Sequence, residues 1–402
     1  MGAIILEHYL KVRHETLKIC EPLEIEDYSV QPRDFVSPPK WHLAHTTWFF
    51  EELVLKPHNN KYTYFNKSFS FLFNSYYKSL GEHWQQHERG LLSRPTVKEI
   101  RAYRSYVDEH MIDIIKASNF NIAMNNLIMI GIQHEQQHQE LLYMDIKYIL
   151  GVSQSNLLGA KNIALKAKKF NQDWKFFEEN IVEIGSQNDV FCYDNEKPCH
   201  KRYIYPFAVS TTLVSNGEFL AFVNSDAYLN PKYWLSLGWE WVLRENIKHP
   251  LYWKRIGHSW FEYTLNGLQE LDLNAPVAHV SYFEADAYAS YKNARLPSEF
   301  EFEVYLRSEE VKVYSNSLHP HCVKSPRGQL WCWTNSAYGP YPGFKPFQST
   351  LKEYNAKFMC NQFVLKSGSI VTPVGHYRDS YRNFFPPEQR WMFSGIRLAK
   401  DL

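Results

Sequence analysis

Residues 121–150 read NIAMNNLIMIGIQHEQQHQELLYMDIKYIL, and they set the architecture of the first part of the chain. Apolar side chains recur every three to four positions, which is typical of a long helix, and Gly151 is expected to end it. His134 and His138 stand four residues apart, so both imidazoles project from one face on consecutive turns. An isolated pair of this kind would favour ordinary packing. Within an otherwise apolar helix, the pair indicates two ligands of one metal ion.

Three further helices are predicted on the N-terminal side of this stretch, over residues 4–20, over WHLAHTTWFFEELVL from Trp41, and from about Pro95 to Ile115. Ser37 is expected to be the N-cap of the second of them, with proline in its first turn. Four long helices predict an up-and-down bundle whose core can host a metal site.

A third metal ligand is available near the start of the second predicted helix. The motif WHLAH offers His42 and His45, and either of them could reach the face that carries His134 and His138. Three imidazoles leave coordination positions open for substrates. Because imidazole suits both iron and zinc, the spacing leaves the metal and the choice between His42 and His45 open.

A zinc hydrolase is the alternative interpretation of the same helix. The string HEQQH at 134–138 matches the H-E-x-x-H pattern, in which the glutamate is a general base. The extended metzincin pattern fails, because Leu141 stands where that pattern has glycine and no third histidine follows at the required place. A short pattern with two free positions is weakly specific, so a protease is disfavoured.

The second half of the chain differs in character. Residues 152–180 are polar and rich in lysine, which predicts a linker, and from about residue 181 short strands alternate with glycine and proline turns. A helix is expected near Ser281–Tyr291. With 402 residues and 45% hydrophobic composition, the chain is long enough for two or three packed domains, and the later part is expected to be an α+β domain.

Charge and cysteine content exclude several classes of protein. A formal net charge of +1 gives no electrostatic reason to expect nucleic acid or an anionic membrane as partner. No run approaches the ~18 apolar residues of a membrane span, and no signal peptide is evident. The six cysteines show no C-x-x-C spacing, so neither a zinc knuckle nor a disulfide framework is indicated. A reduced, cytoplasmic setting is expected, and the oligomeric state is not indicated.

Both halves resemble a known family. The combination WHLAH…HEQQHQE resembles the DinB-like bundle of the ergothioneine-type sulfoxide synthases, and three later segments resemble the C-type-lectin-like fold of formylglycine-generating enzymes (sulfatase-modifying factors). These segments are PVAHVSYFEADAYASYKNARLPSEFEFE, GQLWCWTNSAYGPYPGF and SYRNFFPPEQRWMFSGIRLAKDL. The resemblance covers nearly the whole chain. It implies a DinB-like iron-binding bundle over 1–155, a linker over 156–180 and a formylglycine-generating-enzyme-like domain over 181–402.

The resemblance also implies a metal and a reaction. Carried over to this sequence, the ligands of Fe(II) are His45, His134 and His138, with Glu140 as a partner that orients a ligand. The family uses oxygen to join the imidazole of hercynine, which is trimethylated histidine, to a thiol such as cysteine or γ-glutamylcysteine, and forms a sulfoxide. Gln137 matches a position that contacts the imidazole substrate. Histidine as acceptor, a selenium donor and a non-catalytic metal-binding bundle are the other possibilities.

Further residues are assigned by the same resemblance. Tyr76 and Tyr77 match a tyrosine pair near the iron, where one of them could give a proton during oxygen activation, and Tyr341 is a weaker candidate for this task. Asn383, Phe384 and Phe385 match the loop that holds the betaine end of hercynine, for which aromatic rings are suitable because they attract quaternary ammonium groups. In another branch of the family an aromatic residue followed by an acid occupies these positions, and Phe385 replaces the acid here.

Arginines are the candidate binders of the thiol's carboxylate, since guanidinium forks suit carboxylates. Arg89 and Arg94 are the first candidates, with a solvated charge cluster as the alternative; Arg378, Arg382 and Arg390 follow. Phe385 and the tyrosine pair make this chain similar to the branch of the family that accepts free cysteine, whereas the branch that takes γ-glutamylcysteine uses arginines for the extra carboxylate. The resemblance therefore favours cysteine as the donor. One departure is Cys332, which stands between two tryptophans where the family usually has glutamate. The paired copper-binding cysteines of formylglycine-generating enzymes have no counterpart, so that reaction is not implied.

Overall fold

All described strands lie in the second part of the chain, whereas the described elements of the first part are helices. The structure is a computed structural model and describes residues 2–75, 77–117, 122–153, 166–187, 191–310 and 317–402. The chain divides into two compact units, Met1–Leu157 and Leu158–Leu402. Within the described ranges, no helix has both the length and the apolar character that crossing a membrane requires.

The first unit is helical. Its helices are α1 (Gly2–Ile19), α2 (Pro39–Phe50), α3 (Lys56–His58), α4 (Phe69–Leu72), α5 (Val97–Lys116) and α6 (Ile122–Ser153). Short 3-10 helices span Ile25–Ser29, Lys78–Leu80 and Gln86–Leu91, and a π-helical turn, Glu51–Leu55, continues α2. The long helices α1 and α2 each pack against both α5 and α6, which confirms the predicted helical region before the strand-containing domain.

The start of α2 differs from the prediction. The N-cap is Pro38 and not Ser37, and no side chain caps the helix. Ser37 instead binds two groups of the bundle: its backbone N–H donates to Asp145 Oδ2 over 2.9 Å, and its hydroxyl accepts from Arg89 Nη1 over 2.8 Å. Pro39 at the first helical position needs no N–H partner, so the cap is dispensable and Ser37 is free for these contacts.

The ends of the other long helices depend on local backbone chemistry. α5 begins with a capping box, in which the Thr96 side chain accepts from the Glu99 N–H and Glu99 bonds back to Thr96. The prediction that α6 ends at Gly151 is wrong. The glycine keeps a helical conformation, and the helix continues to Ser153.

Gly131 sets the distance between α2 and α6. A Cβ atom built on it would lie 2.5 Å from Phe50 Cε1 and 2.9 Å from Phe49 Cε1. Only glycine therefore lets the two helices approach this closely. The contact lies one turn before His134, so it fixes the register of the face that carries both α6 histidines.

The second unit contains helices, strands and long loops. Its helices are α7 (Asn216–Asn224), α8 (Ser236–Glu245), α9 (Tyr282–Tyr291) and α10 (Glu299–Arg307). The strands are β1 (Trp174–Phe177), β2 (Asn180–Ile184), β3 (His200–Ile204), β4 (Phe207–Ser210), β5 (Trp253–Ile256), β6 (Ser259–Thr264), β7 (Gly267–Glu270), β8 (Trp331–Ala337), β9 (Phe363–Lys366), β10 (Asn383–Phe385), β11 (Ser394–Gly395) and β12 (Ala399–Asp401). The helix expected near residues 281–291 is therefore present as α9, with Ser281 as its N-cap.

Four small sheets organise this unit. Their strand orders are β1-β4-β12, β10-β9-β8-β11, β2-β3 and β5-β6-β7. All described pairs are antiparallel except β11 with β8. β1 begins at Trp174, inside the stretch predicted as linker, because Trp174 pairs with Ser210 of β4. Residues 154–165 of that predicted linker lie outside the described residues.

Cys332 belongs to the hydrophobic core of the second unit. It is fully buried among side chains that include Phe207, Phe302 and Leu306, and burial raises the pKa of its thiol to about 11. A protonated thiol in this position behaves as a small apolar side chain. The cysteine that replaces the family's usual glutamate is therefore a packing residue.

A buried three-histidine cluster as candidate metal centre

His45 from α2 and His134 and His138 from α6 meet inside the first unit. Each offers one ring nitrogen, and these three atoms lie within 4.8 Å of one another. The ring centroids are separated by 5.0 Å for His45–His134, 4.8 Å for His45–His138 and 4.6 Å for His134–His138. All three side chains are buried. The α6 pair meets one α2 residue because Gly131 brings the two helices together.

Burial keeps the three imidazoles neutral. It lowers the pKa of His134 to about 3 and the pKa values of His45 and His138 well below the usual value, and the neighbouring histidines lower the latter two further. A neutral imidazole has a lone pair on one nitrogen, whereas a protonated one has none. The cluster therefore presents lone pairs, which fits a metal ion and does not fit an acid–base dyad.

The orientation of His45 is fixed by a hydrogen bond and two tryptophans. Its Nδ1 lies 2.6 Å from the Phe73 carbonyl oxygen. Because a carbonyl only accepts, Nδ1 carries the proton and Nε2 carries the lone pair. The ring stacks on Trp41 and on Trp48, with centroids 4.5 Å and 5.5 Å apart. His45 is thus held with its lone pair on Nε2, the nitrogen that could bind a metal.

His42 does not belong to the group of three ring nitrogens. Its Nδ1 lies 2.8 Å from Nδ1 of His138, and its Nε2 lies 2.9 Å from Asp145 Oδ2. The geometry therefore distinguishes between His42 and His45, which the sequence did not. His45 contributes one of the three clustered ring nitrogens, whereas His42 contacts the Nδ1 atom of His138. The signal for Asp145 was present in the sequence, since residues 138 and 145 are two helical turns apart on one face.

Glu135 is not placed as a hydrolase requires. Its carboxylate is fully buried, where it pairs with Arg13 over 2.9 Å and with Arg104, and accepts from the Thr16 hydroxyl. Burial alone raises its pKa, but Arg104 and Arg13 outweigh this and lower it to about 2. A general base must face the metal-bound site and accept a proton near neutral pH. Glu135 instead links α6 to α1 and α5, which argues against the zinc hydrolase.

Arg89 is a buried cation beside the cluster. Its guanidinium carbon lies 3.3 Å from the centroid of Trp41, and its Nη groups donate to the hydroxyls of Ser37 and Ser75. Among the described residues no carboxylate forms an ion pair with it, and its Nε, like the indole Nε1 of Trp41, is buried without a hydrogen-bond partner. Burial lowers the pKa of Arg89 to about 9, partly opposed by Asp145. Such a group suits an anionic ligand.

The other predicted residues of the first unit lie in different environments. Tyr77 is fully buried, with its ring 5.6 Å from that of Trp48, and its backbone is held by the Asn74 side chain. Gln137 is half-buried on α6, and Arg94 is exposed, in contrast to Arg89. Tyr76 lies outside the described residues.

The predicted betaine-binding residues form β10 in the second unit. Phe384 stacks on Tyr338 with centroids 4.0 Å apart, and Phe385 meets Trp391 edge to face at 5.3 Å. Asn383, Phe384 and Phe385 are each half-buried, so part of every side chain remains accessible. Aromatic surface is therefore available at the positions that the sequence singled out.

The remaining arginine candidates are already paired inside the second unit. Arg382 forms a bidentate pair with Glu299, Arg378 pairs with Glu196 and Arg390 with Glu284. The Tyr341 hydroxyl also donates to Glu299, over 3.1 Å, and its ring lies under the Arg382 guanidinium. The expectation that these arginines are open to a substrate carboxylate is wrong for Arg382. Its guanidinium is buried, and its Nε and Nη2 already donate to the Glu299 carboxylate.

Comparisons with known proteins support this two-part organisation. The DinB superfamily model matches residues 8–142, and the sulfatase-modifying factor enzyme 1-like domain matches residues 177–326. Hercynine oxygenase of Mycobacterium tuberculosis is 28% identical over 307 residues, covering 67% of this chain and 70% of that protein. Ergothioneine biosynthesis protein 1 of Schizosaccharomyces pombe is 24% identical over 421 residues, covering 90% of this chain and 52% of that protein.

A further relative matches one part of the chain. Formylglycine-generating enzyme of Thermomonospora curvata is 30% identical over 174 residues, covering 39% of this chain and 54% of that enzyme. The chain spans between 52% and 70% of the length of the four hercynine oxygenase and ergothioneine biosynthesis relatives. The resemblance drawn from the motifs is thus confirmed, and the chain is a homologue of the hercynine oxygenases with a DinB-superfamily domain followed by a sulfatase-modifying-factor-like domain.

Proposed function

We propose that this chain is an iron(II)-dependent oxygenase that joins a thiol to the imidazole of hercynine and oxidises the sulfur to a sulfoxide, a step of ergothioneine biosynthesis. The reaction balances when an imidazole C–H, a thiol S–H and one O₂ give the sulfoxide and one water. The observation that supports it most strongly is the group of three buried ring nitrogens of His45, His134 and His138 within 4.8 Å of one another.

Iron is proposed for this site because the donor set fits and the relatives are oxygenases. Three neutral imidazoles suit iron as well as zinc, so the donors alone do not select the metal. When bound, iron(II) would supply redox chemistry with oxygen and open positions for both substrates, which redox-inert zinc does not. The residues of this chain that would hold the ion are His45, His134 and His138, each through one ring nitrogen.

The carboxylate of the thiol substrate is assigned to Arg89. A buried guanidinium without an ion-pair partner is costly, and a carboxylate would offset that cost while accepting from the unpartnered Nε of Arg89 and Nε1 of Trp41. Both residues are buried beside His45. Binding here would fix the thiol relative to the metal. Arg94 is exposed and is the weaker candidate. Cysteine is the proposed donor, in agreement with the features of the branch.

The betaine of hercynine is assigned to the aromatic residues of β10. A trimethylammonium group has no N–H to donate, so it is recognised by ring faces and not by hydrogen bonds. Phe384 and Phe385 are half-buried and provide such surface. Asn383 is the proposed polar contact for a carboxylate at this strand. Gln137 on α6 stays the contact that the resemblance proposes for an imidazole.

Tyr77 is the proposed proton donor during oxygen activation. It is buried next to Trp48, which stacks on His45. Its backbone is clamped by two hydrogen bonds of 3.0 Å: the Asn74 side-chain amide donates to the Tyr77 carbonyl, and the Tyr77 N–H donates to Asn74 Oδ1. A clamp of this kind limits the positions that the phenol can reach, which a specific proton transfer requires. Tyr76 is the other member of the pair, and Tyr341 remains the weaker alternative.

The test is an anaerobic reconstitution with iron(II), followed by oxygen uptake on an electrode. Hercynine is offered with cysteine, with γ-glutamylcysteine and with a selenosugar, and histidine replaces hercynine as the control acceptor. We expect uptake and a sulfoxide product with hercynine and cysteine, and less with the other pairs. No uptake with any pair, together with tightly bound zinc on metal analysis, would overturn the proposal.

A further inference from the structure

We propose that His42 and Asp145 are positioning residues that hold His138 in the one tautomer and orientation in which it binds the metal. This inference rests on the proposed metal site but not on the proposed substrates. It concerns two residues outside the group of three ring nitrogens. The contacts that carry it are His138 Nδ1 to His42 Nδ1, 2.8 Å, and His42 Nε2 to Asp145 Oδ2, 2.9 Å.

The carboxylate of Asp145, at the end of this series of hydrogen bonds, determines which atom donates in the bond to His42. An ionised carboxylate only accepts, so the proton between His42 and Asp145 is on His42 Nε2. His138 can bind a metal through Nε2 only when its own proton is on Nδ1, so in the proposed site Nδ1 of His138 donates to Nδ1 of His42. The position of the proton on each of the three side chains thus fits its position on the next. The lone pair of His138 is left on Nε2, the ring nitrogen that does not contact His42.

The geometry of α2 and α6 keeps this chain in place. Asp145 lies two turns after His138 on α6, and its Oδ2 also accepts the backbone N–H of Ser37 over 2.9 Å. Ser37 lies two residues before Pro39, the first residue of α2, and five before His42. The carboxylate is therefore anchored by both the side chain and the backbone of the segment that begins α2. His42, Asp145 and Ser37 are all buried, so water does not compete for these hydrogen bonds.

The proposed ligands His45 and His138 thus donate their ring N–H groups to different kinds of acceptor. His45 donates to a neutral carbonyl, that of Phe73, whereas His138 donates to an imidazole that ends on a carboxylate. A carboxylate behind a histidine ligand raises the basicity of the ligand and fixes its ring. His138 is therefore the stronger electron-pair donor of these two histidines. Loss of either His42 or Asp145 should weaken metal binding by about 10–100-fold.

Two substitutions remove the chain in different ways. His42→Leu leaves the Nδ1–H of His138 without an acceptor. Asp145→Leu, of similar size, removes the carboxylate oxygen that accepts from both His42 Nε2 and the Ser37 N–H, so the proton of His42 is no longer held on Nε2. The matched control is Gln139→Leu, which removes another buried polar group of α6, one that bonds Val12 and Thr16 of α1.

The experiment uses Co(II) as an oxygen-stable probe and does not measure turnover. The visible absorption of bound Co(II) gives its dissociation constant, and proton NMR of the loaded protein gives the shifted, exchange-protected imidazole N–H resonances. Thermal unfolding of the metal-free variants shows that each has folded. We expect both variants to bind Co(II) about 10–100-fold more weakly and to lose or move one N–H resonance, while Gln139→Leu keeps the affinity and the resonances.

Three results would overturn the inference. The first is a wild-type affinity with unchanged resonances in folded His42→Leu or Asp145→Leu. The second is complete loss of Co(II) binding in His42→Leu, equal to that of His138→Ala, since His42 would then be a ligand. The third is a wild-type protein that binds no Co(II). Failure of the proposed reaction is separate, because a protein that consumes no oxygen can still show the expected Co(II) affinities.

Discussion

The guanidinium carbon of Arg89 lies 3.3 Å from the centroid of the Trp41 ring, and this ring in turn stacks on His45. One indole thus supports both a buried cation and one of the three clustered histidines. Because Trp41 and His45 are neighbours on α2, a substrate anion held at Arg89 would be positioned relative to the same helix face that presents His45. The relationship would connect binding of the proposed thiol substrate to the proposed metal site within the first unit.

Loss of one histidine of the cluster should abolish metal binding without unfolding the bundle. For His134→Ala we expect a fall in iron(II) affinity larger than the roughly 10–100-fold that removal of an outer partner costs, since one of three donors is gone. Metal analysis after gel filtration measures it. His110→Ala is the control, because this histidine bonds the Tyr106 carbonyl on α5 and has no part in the cluster. Stoichiometric iron in His134→Ala would contradict the ligand assignment.

Replacing Arg89 should affect the thiol substrate and not the metal. A charged hydrogen bond is worth about 1.5–3 kcal/mol, so Arg89→Gln should raise the KM for cysteine by about tenfold to a hundredfold at unchanged iron affinity. Steady-state oxygen uptake at varied cysteine measures it, with exposed Arg33→Gln as the control. An unchanged KM in Arg89→Gln, with a raised one in Arg94→Gln, would move the carboxylate site to Arg94.

Glu135 should prove to be a structural residue. Glu135→Gln leaves the buried guanidinium groups of Arg13 and Arg104 without their shared carboxylate, and breaking a buried pair costs about 3–5 kcal/mol of unfolding free energy. Urea denaturation of the metal-free protein measures this, with exposed Glu109→Gln on α5 as the control. A variant of full stability that has lost a hydrolytic activity would support the zinc hydrolase instead.

Gly131 should be intolerant of even one methyl group. In Gly131→Ala the new Cβ would meet Phe50 at 2.5 Å, so α2 and α6 must move apart, at a cost of about 1–3 kcal/mol. We expect a lower unfolding midpoint and weaker metal binding, since His45 and the α6 histidines lie on the two displaced helices. Gly339→Ala is the control, because no atom lies within 4 Å of its added Cβ. Equal stability of the two variants would contradict the close approach.

Local patterns predicted the helical part of the site well. Periodicity and spacing placed His134 and His138 on one face of α6, and the structure brings them to His45. The cap of α2 was predicted wrongly, because Ser37 makes long-range contacts with Asp145 and Arg89 that a local rule does not include. The end of α6 was missed for a similar reason, since Gly151 can continue a helix as well as end one.

Partners that lie far apart in sequence could not be predicted. The carboxylates that occupy Arg378 and Arg382 are Glu196 and Glu299, separated from them by 182 and 83 residues. Only the folded chain shows that Arg382 is taken and that Arg89 is not. The same holds for the Phe73 carbonyl, which fixes the tautomer of His45 from a segment without a motif.

Mass spectrometry of the product formed under ¹⁸O₂ tests the proposed reaction most directly. The iron(II)-loaded protein is given hercynine and cysteine in ordinary water. The proposal predicts a product that contains both substrates joined with the loss of two hydrogens and carries one ¹⁸O atom, and predicts none of it with His134→Ala. A joined product whose oxygen comes from water, or no joined product in the presence of stoichiometric iron, would contradict it.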